Sequence, residues 1–587
     1  MNSILRLWLY NFKKLIMRKY RIYIALAAIV LSAFVAYGLF TSPKPQSSDS
    51  ECFSAVRVAA DLEVISKEHH SIEHPKNREV VCNYLFERLS GMGGEPKLYA
   101  YDSIGVFNDK KIDIENIYSQ FEPTITYPEG VSSYVLLIAH YDSRFGVKRL
   151  EDTVYSYGAA DDGYGCGVIL ESVSQALKYK KEWRQGIKVL FTDCEEWQMF
   201  GIKNAIEKNP ELFENVGLVL NIDARGMKGP ALLFETGTNN TKVMNLYADV
   251  AKHPYTYTFT SVVYKTMPNF TDYTLLKDSL PGLNFSVIDD RYHYHNDLDN
   301  YSNISLYAIQ HYGAQIEPIM KEYLTGIEYR DVDYLKAEKD NISFTIPLLG
   351  IFNFSKGGYA LLNAITLALF CLAFCFSILS GRIHSGRVFK TMGRIFLFTL
   401  IIFALGYLLS WISSKLLGRY FILFGDVKGG EFYNTAMIVI VALLAVISLW
   451  CYLLKRRKAA NLVSSTAIRK SAAASGVTKY SLEIFYGTML VLLVLSAVSY
   501  FAIGENFFFI IPLLIGSVSL ILWRLFKLRS VLLIAVIVIL LHAFSFCYVI
   551  GIALTIEGLY AVLLLAFLYI MTVIPLIDLY SRKEKTI

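Results

Sequence analysis

The pattern of hydrophobic and polar positions divides this chain into an apolar start, a globular middle and a long apolar end. Residues 22–40 form an uncharged run close to the ~20 apolar residues needed to cross a bilayer. The pattern of residues 51–340 is typical of a globular domain. Seven further apolar runs follow it, near 359–380, 395–412, 434–454, 483–503, 506–523, 531–550 and 557–577. The pattern therefore predicts eight membrane crossings, one of them before the globular domain.

Short apolar runs alternate with helical spacing inside the globular part. The runs SYVLLIAHYD, GIKVLFTDCEE, VGLVLNIDARG and PGLNFSVID indicate strands buried on both faces. Between and after them, GCGVILESVSQALKY, WQMFGIKNAIEK and SLYAIQHYGAQIEPIMKEYL carry helical spacing. This alternation predicts an α/β fold, a mostly parallel sheet with flanking helices, followed by an all-α transmembrane bundle.

These patterns predict seven segments along the chain. In order they are a cytoplasmic basic segment (1–21), a transmembrane anchor (22–40), a linker (41–50), a globular domain (51–340), a membrane-proximal segment (341–358), a seven-span region (359–577) and a cytoplasmic tail (578–587). A cleaved signal peptide is the alternative for 22–40. The length of the run and the weak match of TSPKPQSSDS to a cleavage site favour a retained anchor.

Composition and charge support a membrane protein. Hydrophobic residues make up 54% of the chain and charged residues 18%, which excludes a disordered protein. Five segments (1–21, 381–394, 455–480, 524–530 and 578–587) hold 23 Lys and Arg against two acidic residues, so they carry +21 and the remainder carries −15. If every run crosses, all five lie on one side, as the positive-inside rule requires.

This charge distribution predicts a multi-pass protein with both termini in the cytoplasm. The globular domain then lies on the non-cytoplasmic side, which is a periplasm, a lumen or the exterior. A lipid bilayer is the expected partner, and the distribution argues against nucleic acid. The oligomeric state is not predicted.

Polar residues with ligand chemistry follow each predicted strand. His140 and Asp142 end the first, Glu195 and Glu196 end the second, and Asp223 ends the third. Asp161 and Asp162 lie in the glycine-rich turn GAADDGYG, and His295 follows the fourth strand. Ligands of α/β sheets bind at the carboxyl ends of the strands. Imidazoles and carboxylates gathered at that edge indicate a zinc site.

The motifs AHYDS, GAADDGYG, DCEEWQMFG, NIDARG and YHNDLDN, in this order, resemble the co-catalytic dizinc aminopeptidase family. That family also includes glutamate carboxypeptidases and glutaminyl cyclases. The segments NIDARGMKGPALLFETG and TDYTLLKDSLPGLNFSVID resemble its multi-pass branch, named for vacuolar membrane proteases and the endoplasmic reticulum metallopeptidase. The resemblance implies a zinc exopeptidase-like fold and two Zn²⁺ ions per chain.

The resemblance also implies a role for each matching residue. The metal ligands would be His140, Asp161 as the bridge, Glu196, Asp223 and His295. Glu195 would be the general base, and Asp142 would orient the first histidine. Asp162 would be joined to Asp161 by a cis peptide. The spacing His-x-x-x-Asp, ending at Asp299, favours His295 over His293.

This residue set predicts hydrolysis of peptides from their N-terminus. Two metal ions sharing a carboxylate lower the pKa of a bound water to about 7, and the adjacent glutamates can divide the work of base and ligand. Arg225 and Tyr273 are candidates for the substrate pocket, although both are equally consistent with packing or ion pairing. A glutaminyl-cyclase-like acyl transferase with one zinc, and a non-catalytic receptor or transporter on a peptidase scaffold, are the alternatives.

The charge asymmetry makes a testable topology prediction. In a cysteine-free background, Ser48→Cys should react with a membrane-impermeant maleimide applied from the non-cytoplasmic side. Ser465→Cys should react only after the membrane is permeabilised, because it lies in a basic segment that the positive-inside rule places in the cytoplasm. Labelling of both positions from one side would contradict the predicted location of the globular domain.

Overall fold

The computed structural model describes residues 20–36, 43–126, 132–149, 152–265, 269–416, 430–461 and 469–582. They form two compact units. The α/β unit consists of the described residues between 43 and 357, and the helical unit consists of helix α1 (Tyr20–Ala36) with the described residues of 358–416 and 432–582. Parts of the predicted segments 1–21, 22–40 and 578–587 lie outside the described residues.

The α/β unit contains seven helices and eleven strands among its described residues. In chain order they are α2 (Ala55–Ile65), α3 (Pro75–Gly91), β1 (Lys97–Phe107), β2 (Lys110–Phe121), β3 (Tyr134–His140), β4 (Val147–Arg149), β5 (Asp152–Val154), α4 (Gly163–Leu177), β6 (Gly186–Thr192), α5 (Phe200–Lys208), β7 (Val216–Ala224), β8 (Leu232–Thr236), α6 (Thr241–Val250), α7 (Thr258–Lys265), β9 (Gly282–Val287), α8 (Leu306–Thr325), β10 (Asn341–Ile346) and β11 (Gly350–Ser355).

A seven-stranded mixed sheet is the centre of this unit. Its strand order is β1-β2-β6-β3-β7-β9-β8. The four central strands, β6, β3, β7 and β9, run parallel, whereas β1, β2 and β8 pair antiparallel at the two edges. The four strands predicted from apolar runs are these central ones, so the predicted α/β fold is confirmed with antiparallel edges added.

Burial explains why the central strands could be recognised. Every residue of β3, β6 and β9 is buried, because side chains on both faces of the sheet pack against apolar clusters. Strands covered on both faces carry continuous apolar runs. Edge strand β1 alternates irregularly between exposed and partly buried positions, so it carries no such run.

The helical unit contains seven further helices after residue 355. They are α9 (Lys356–Leu379), α10 (Ser385–Leu416), α11 (Gly430–Asn461), α12 (Arg469–Ile503), α13 (Phe507–Phe526), α14 (Ser530–Leu554) and α15 (Leu559–Ser581). Within the described residues, six helical stretches are long and apolar enough to cross a membrane, and the last, Ser530–Ser581, joins α14 and α15. Helix α1 is apolar but shorter. The chain is therefore a membrane protein.

Candidate metal centre

The parallel strands bring the predicted polar residues to one edge of the sheet. His140 is the last residue of β3, Asp223 is the penultimate residue of β7, and Glu195 and Glu196 follow β6 after two intervening residues. His295 lies in the irregular segment after β9. Because β3, β6, β7 and β9 run parallel, their carboxyl ends share one edge, and side chains far apart in sequence meet there.

Two groups of potential ligands meet at this edge and have one residue in common. His140, Asp161 and Asp223 each offer a ligand atom, and these atoms lie within 4.8 Å of one another. Asp161, Glu196 and His295 form the second group by the same measure. Oδ1 of Asp161 lies 3.2 Å from Nε2 of His140, and Oδ2 lies 3.2 Å from Nε2 of His295. The two carboxyl oxygens of Asp161 thus face one group each.

The donor set suits zinc. Imidazole nitrogens and carboxylate oxygens are ordinary Zn²⁺ ligands, and each group supplies three of them. Asp161 and Glu196 are buried, and Asp223 is partly buried beside them. Carboxylates gathered in a buried space repel one another and need cations as partners. The residues present therefore fit a bound metal.

Asp142 aligns the first histidine with the two glutamates. It is fully buried, and its carboxylate accepts hydrogen bonds from the backbone N–H groups of Glu195 (2.9 Å) and Glu196 (3.3 Å). Nδ1 of His140 lies 3.0 Å from the carbonyl oxygen of Asp142 and 3.4 Å from its Oδ1. These contacts turn Nε2 of His140 toward the site. The orienting role that the resemblance implies for Asp142 stays a prediction, and these contacts are the ones it requires.

The peptide bond between Asp161 and Asp162 is cis. Asp162 caps α4: its carboxylate accepts a hydrogen bond from the Gly165 N–H (3.0 Å) and another from the His140 N–H (3.3 Å). A Cβ atom at Gly165 would collide with the Asp162 carboxylate, so the glycine permits this close approach. The start of α4 is thereby tied to the end of β3, and Asp161 is held between them.

Asp299 holds the same loop from the other side. Its carboxylate accepts hydrogen bonds from the Ala160 N–H (2.7 Å) and the Ser156 hydroxyl (2.9 Å). The sequence indicated Asp299 only as a marker for His295. The structure brings His295 into the second ligand group, whereas Nδ1 of the competing His293 lies 3.9 Å from Asp290.

Glu195 differs from its neighbour in its surroundings. Burial raises the pKa of Glu195 well above its ordinary value, and the nearby carboxylates of Asp223 and Asp272 add to that rise. Burial also acts on Glu196, but the charges of His295 and Arg144 outweigh it, so the pKa of Glu196 lies below its usual range. One glutamate thus retains a proton readily, whereas the other stays ionised and suits a metal ligand.

Arg144 is a site residue that the sequence reasoning missed. One guanidinium nitrogen donates to the Glu196 carboxylate (2.9 Å) and to the Glu196 carbonyl oxygen (2.7 Å), and the guanidinium lies 4.1 Å from the ring centroid of Phe145. Together with His295, its positive charge partly neutralises the acidic site. Its position directly after the AHYDS motif is the signal that could have identified it.

The two pocket candidates differ in location. Arg225 directly follows β7, is partly buried, and its guanidinium lies 5.8 Å from the ring centroid of Tyr294. Tyr273 is completely buried, and its hydroxyl donates to the carbonyl oxygen of Leu280 at 3.0 Å. Of the two readings that the sequence left open, packing accounts for Tyr273. Arg225 follows the potential ligand Asp223 by two residues at the end of β7 and is retained as the pocket candidate.

Comparisons with known proteins support the resemblance. Residues 116–320 match the model of Peptidase family M28. The chain is 26% identical over 262 residues to endoplasmic reticulum metallopeptidase 1 of Homo sapiens, covering 44% of this chain and 27% of that protein. It is 29% identical over 265 residues to the vacuolar membrane protease of Candida albicans, covering 43% and 28%. The matches thus span about a quarter of the length of these curated relatives.

Solved structures similar to this chain include a Zn-dependent exopeptidase from Parabacteroides distasonis, with 18% identity and a TM-score of 0.36 over 47% of this chain and 99% of that one. A Bacteroides thetaiotaomicron glutaminyl cyclase has 16% identity and a TM-score of 0.36 over 47% and 98%. The family match and the curated relatives confirm the resemblance to a zinc peptidase family and to its multi-pass membrane branch.

The pKa shifts predict how stability depends on pH. Burial and the Asp161 charge raise the pKa of Asp223 from 3.8 to about 7, so between these values the folded chain holds a proton that the unfolded chain has released. We therefore expect the metal-free protein to lose stability as the pH rises from about 4 to about 7. Zn²⁺ needs the deprotonated carboxylate, so its stabilisation should increase over the same range.

Thermal unfolding of the detergent-solubilised chain measures both trends. The melting temperature is compared at about pH 5 and about pH 8, each with chelator and with added zinc. The control is Asp249→Asn, which removes an acidic side chain on helix α6 away from the ligand groups. It should leave the pH dependence of the melting temperature unchanged. Equal stabilisation by zinc at both pH values would contradict the predicted coupling.

Proposed function

We propose that the α/β unit is a zinc aminopeptidase, which hydrolyses the N-terminal peptide bond of its substrates with two metal ions. The observation that carries this proposal is the pair of ligand groups that share Asp161. The match of residues 116–320 to Peptidase family M28 supports the reaction class. A cyclase with one zinc ion would use only one of the two ligand groups. A non-catalytic receptor would require neither of them.

Five residues would hold the metals. His140 and Asp223 would hold one ion, Glu196 and His295 would hold the other, and Asp161, which belongs to both groups, would help to hold both. Bound in this way, metal ions supply a hydroxide near neutral pH and polarise the carbonyl group of the scissile bond. The hydrogen bonds that the carboxylates of Asp142 and Asp299 accept from backbone N–H groups keep the ligand loops in place.

Glu195 is the proposed proton carrier. Its backbone N–H is fixed by Asp142, and the residue is only partly covered by the fold, unlike its neighbour Glu196. The raised pKa of Glu195 suits a group that takes a proton from water and then delivers it to the leaving amine. Glu196, held ionised by Arg144 and His295, serves as a ligand instead.

The surroundings of the site favour a substrate with a free N-terminus. A peptide α-amine is a cation or a metal ligand, and the acidic residues at this edge of the sheet attract it. Arg225 lies near the site and is the candidate residue for contacting the rest of the peptide. The positive-inside argument supports peptide substrates on the non-cytoplasmic side of the membrane.

Two glutamate variants separate chemistry from metal binding. Glu195→Gln removes the proton carrier and keeps every proposed ligand, so aminoacyl-fluorophore hydrolysis should fall by ~10²–10⁴-fold while metal content persists. Glu196→Gln removes a ligand, so metal content and activity should fall together. Activity is followed against a panel of aminoacyl substrates, and bound zinc is quantified in the same preparations.

The matched control is Glu63→Gln, since Glu63 is an exposed glutamate on α2. It should keep wild-type activity and about two zinc ions per chain, the content expected for two ligand groups. Full activity of Glu195→Gln would remove Glu195 from the role of base. One zinc per chain together with glutamine cyclisation would favour the cyclase, and two zinc ions without hydrolysis of any substrate would favour a receptor.

A further inference from the structure

A buried arginine lies near the end of a helix in the helical unit. Arg524 belongs to the last turn of α13, and only 7% of its surface is exposed. Its guanidinium lies 5.6 Å from the ring centroid of Phe376 on α9. A cation in this position has been taken out of water, which is costly unless it is paired.

The contacts of Arg524 leave part of its guanidinium unsatisfied. One terminal nitrogen donates to the hydroxyl of Ser377 at 2.5 Å, and that hydroxyl lies 2.6 Å from the hydroxyl of Tyr486 on α12. The Nε and second terminal nitrogen of Arg524 find no acceptor among the residues that the structure describes. Two donors of one planar group therefore remain available in a buried place.

Two partly buried arginines of the same unit are paired with a carboxylate. Arg456 and Arg582 contact the carboxylate of Asp578 at 3.2 and 2.7 Å. On α12, the acidic residue closest in sequence to Tyr486 is Glu483, whose carboxylate lies 3.8 Å from Arg387. Within the described ranges no carboxylate forms an ion pair with Arg524. Its counter-charge must therefore come from outside these residues.

A second arginine belongs to the same corner. The backbone N–H of Arg382 donates to the carbonyl oxygen of Ser377 at 3.1 Å, which places Arg382 in the turn that ends α9. The charge of Arg382 acts on that of Arg524, so the two cations repel each other. Paired guanidinium groups are suited to binding phosphate oxygens through parallel hydrogen bonds.

Apolar side chains border this corner. Leu379 at the end of α9 is 86% exposed, Leu525 and Phe526 at the end of α13 are 68% and 62% exposed, and Phe376 is 51% exposed. Such side chains beside a phosphate site suit the acyl chains of a lipid. Free phosphate would supply the same anion but would leave them uncovered.

We propose that Arg524 and Arg382 bind the phosphate group of an anionic membrane lipid. Both arginines belong to the basic segments 381–394 and 524–530, which the charge asymmetry places on one side of the membrane. The lipid supplies the counter-charge that the helices lack, and its chains lie against the exposed ends of α9 and α13. The site does not depend on the peptidase reaction.

Native mass spectrometry of the detergent-purified full chain tests the site. Wild type should retain one phosphatidylglycerol per chain and bind it in preference to zwitterionic phosphatidylcholine. Arg524→Gln should weaken phosphatidylglycerol binding about tenfold or more, because charge-assisted hydrogen bonds to phosphate are lost. Lys390→Gln is the matched control: it removes an exposed cation from the same basic segment and should change binding less than about twofold.

Two further measurements keep the proposal falsifiable. Arg382→Gln leaves the buried side chain in place and should weaken binding even if Arg524→Gln folds poorly, which a melting curve reveals. Wild-type phosphatidylglycerol binding by both arginine variants would overturn the proposed site. So would a loss of binding in Lys390→Gln equal to the loss in the arginine variants. Displacement of phosphatidylglycerol by inorganic phosphate at equal concentration would overturn its assignment to a lipid.

Discussion

Asp161 faces a histidine with each of its carboxyl oxygens, and the loops around it are built to hold that position. Asp299 accepts hydrogen bonds from the loop before it, and Asp162 ties the loop after it to the end of β3. Movement of Asp161 away from either histidine would separate the two ligand groups. The geometry of the whole candidate centre therefore depends on one carboxylate and on the backbone that fixes it.

The site gathers more negative charge than the chain itself neutralises. Burial raises the pKa values of Glu195 and Asp223, whereas Arg144 and His295 keep Glu196 ionised. Without metal, the repulsion between these acidic groups lowers the free energy of unfolding. Cations bound at this edge would relieve that repulsion and provide the chemistry at the same time. Stability and proposed activity are thus linked through the same carboxylates.

The helical unit uses buried polar groups in two ways. Asp578 is fully engaged: it accepts hydrogen bonds from Ser481 (2.6 Å) and Tyr452 (3.1 Å) and pairs with Arg456 and Arg582, which joins α11, α12 and α15. Polar contacts of this kind fasten helices where no water competes. Among the residues that the structure describes, Arg524 has no such carboxylate partner, and for that reason it is the position where a ligand from outside the chain is proposed.

The sequence by itself determined the four central strands, the order of the site motifs and the apolar stretches of the helical unit. Strands buried on both faces require continuous apolar runs, and a bilayer requires long uncharged ones, so both leave a local signal. Only the tertiary structure added β1, β2 and β8, because β1 and β2 mix charged and polar residues with apolar ones and β8 has only five residues, so none of them carries such a run. Only the tertiary structure shows that Tyr273 is buried in the core, that Arg144 pairs with Glu196, and that Arg524 is buried. Each of these depends on which residues meet across the fold, and contacts between distant segments are not encoded in any local pattern.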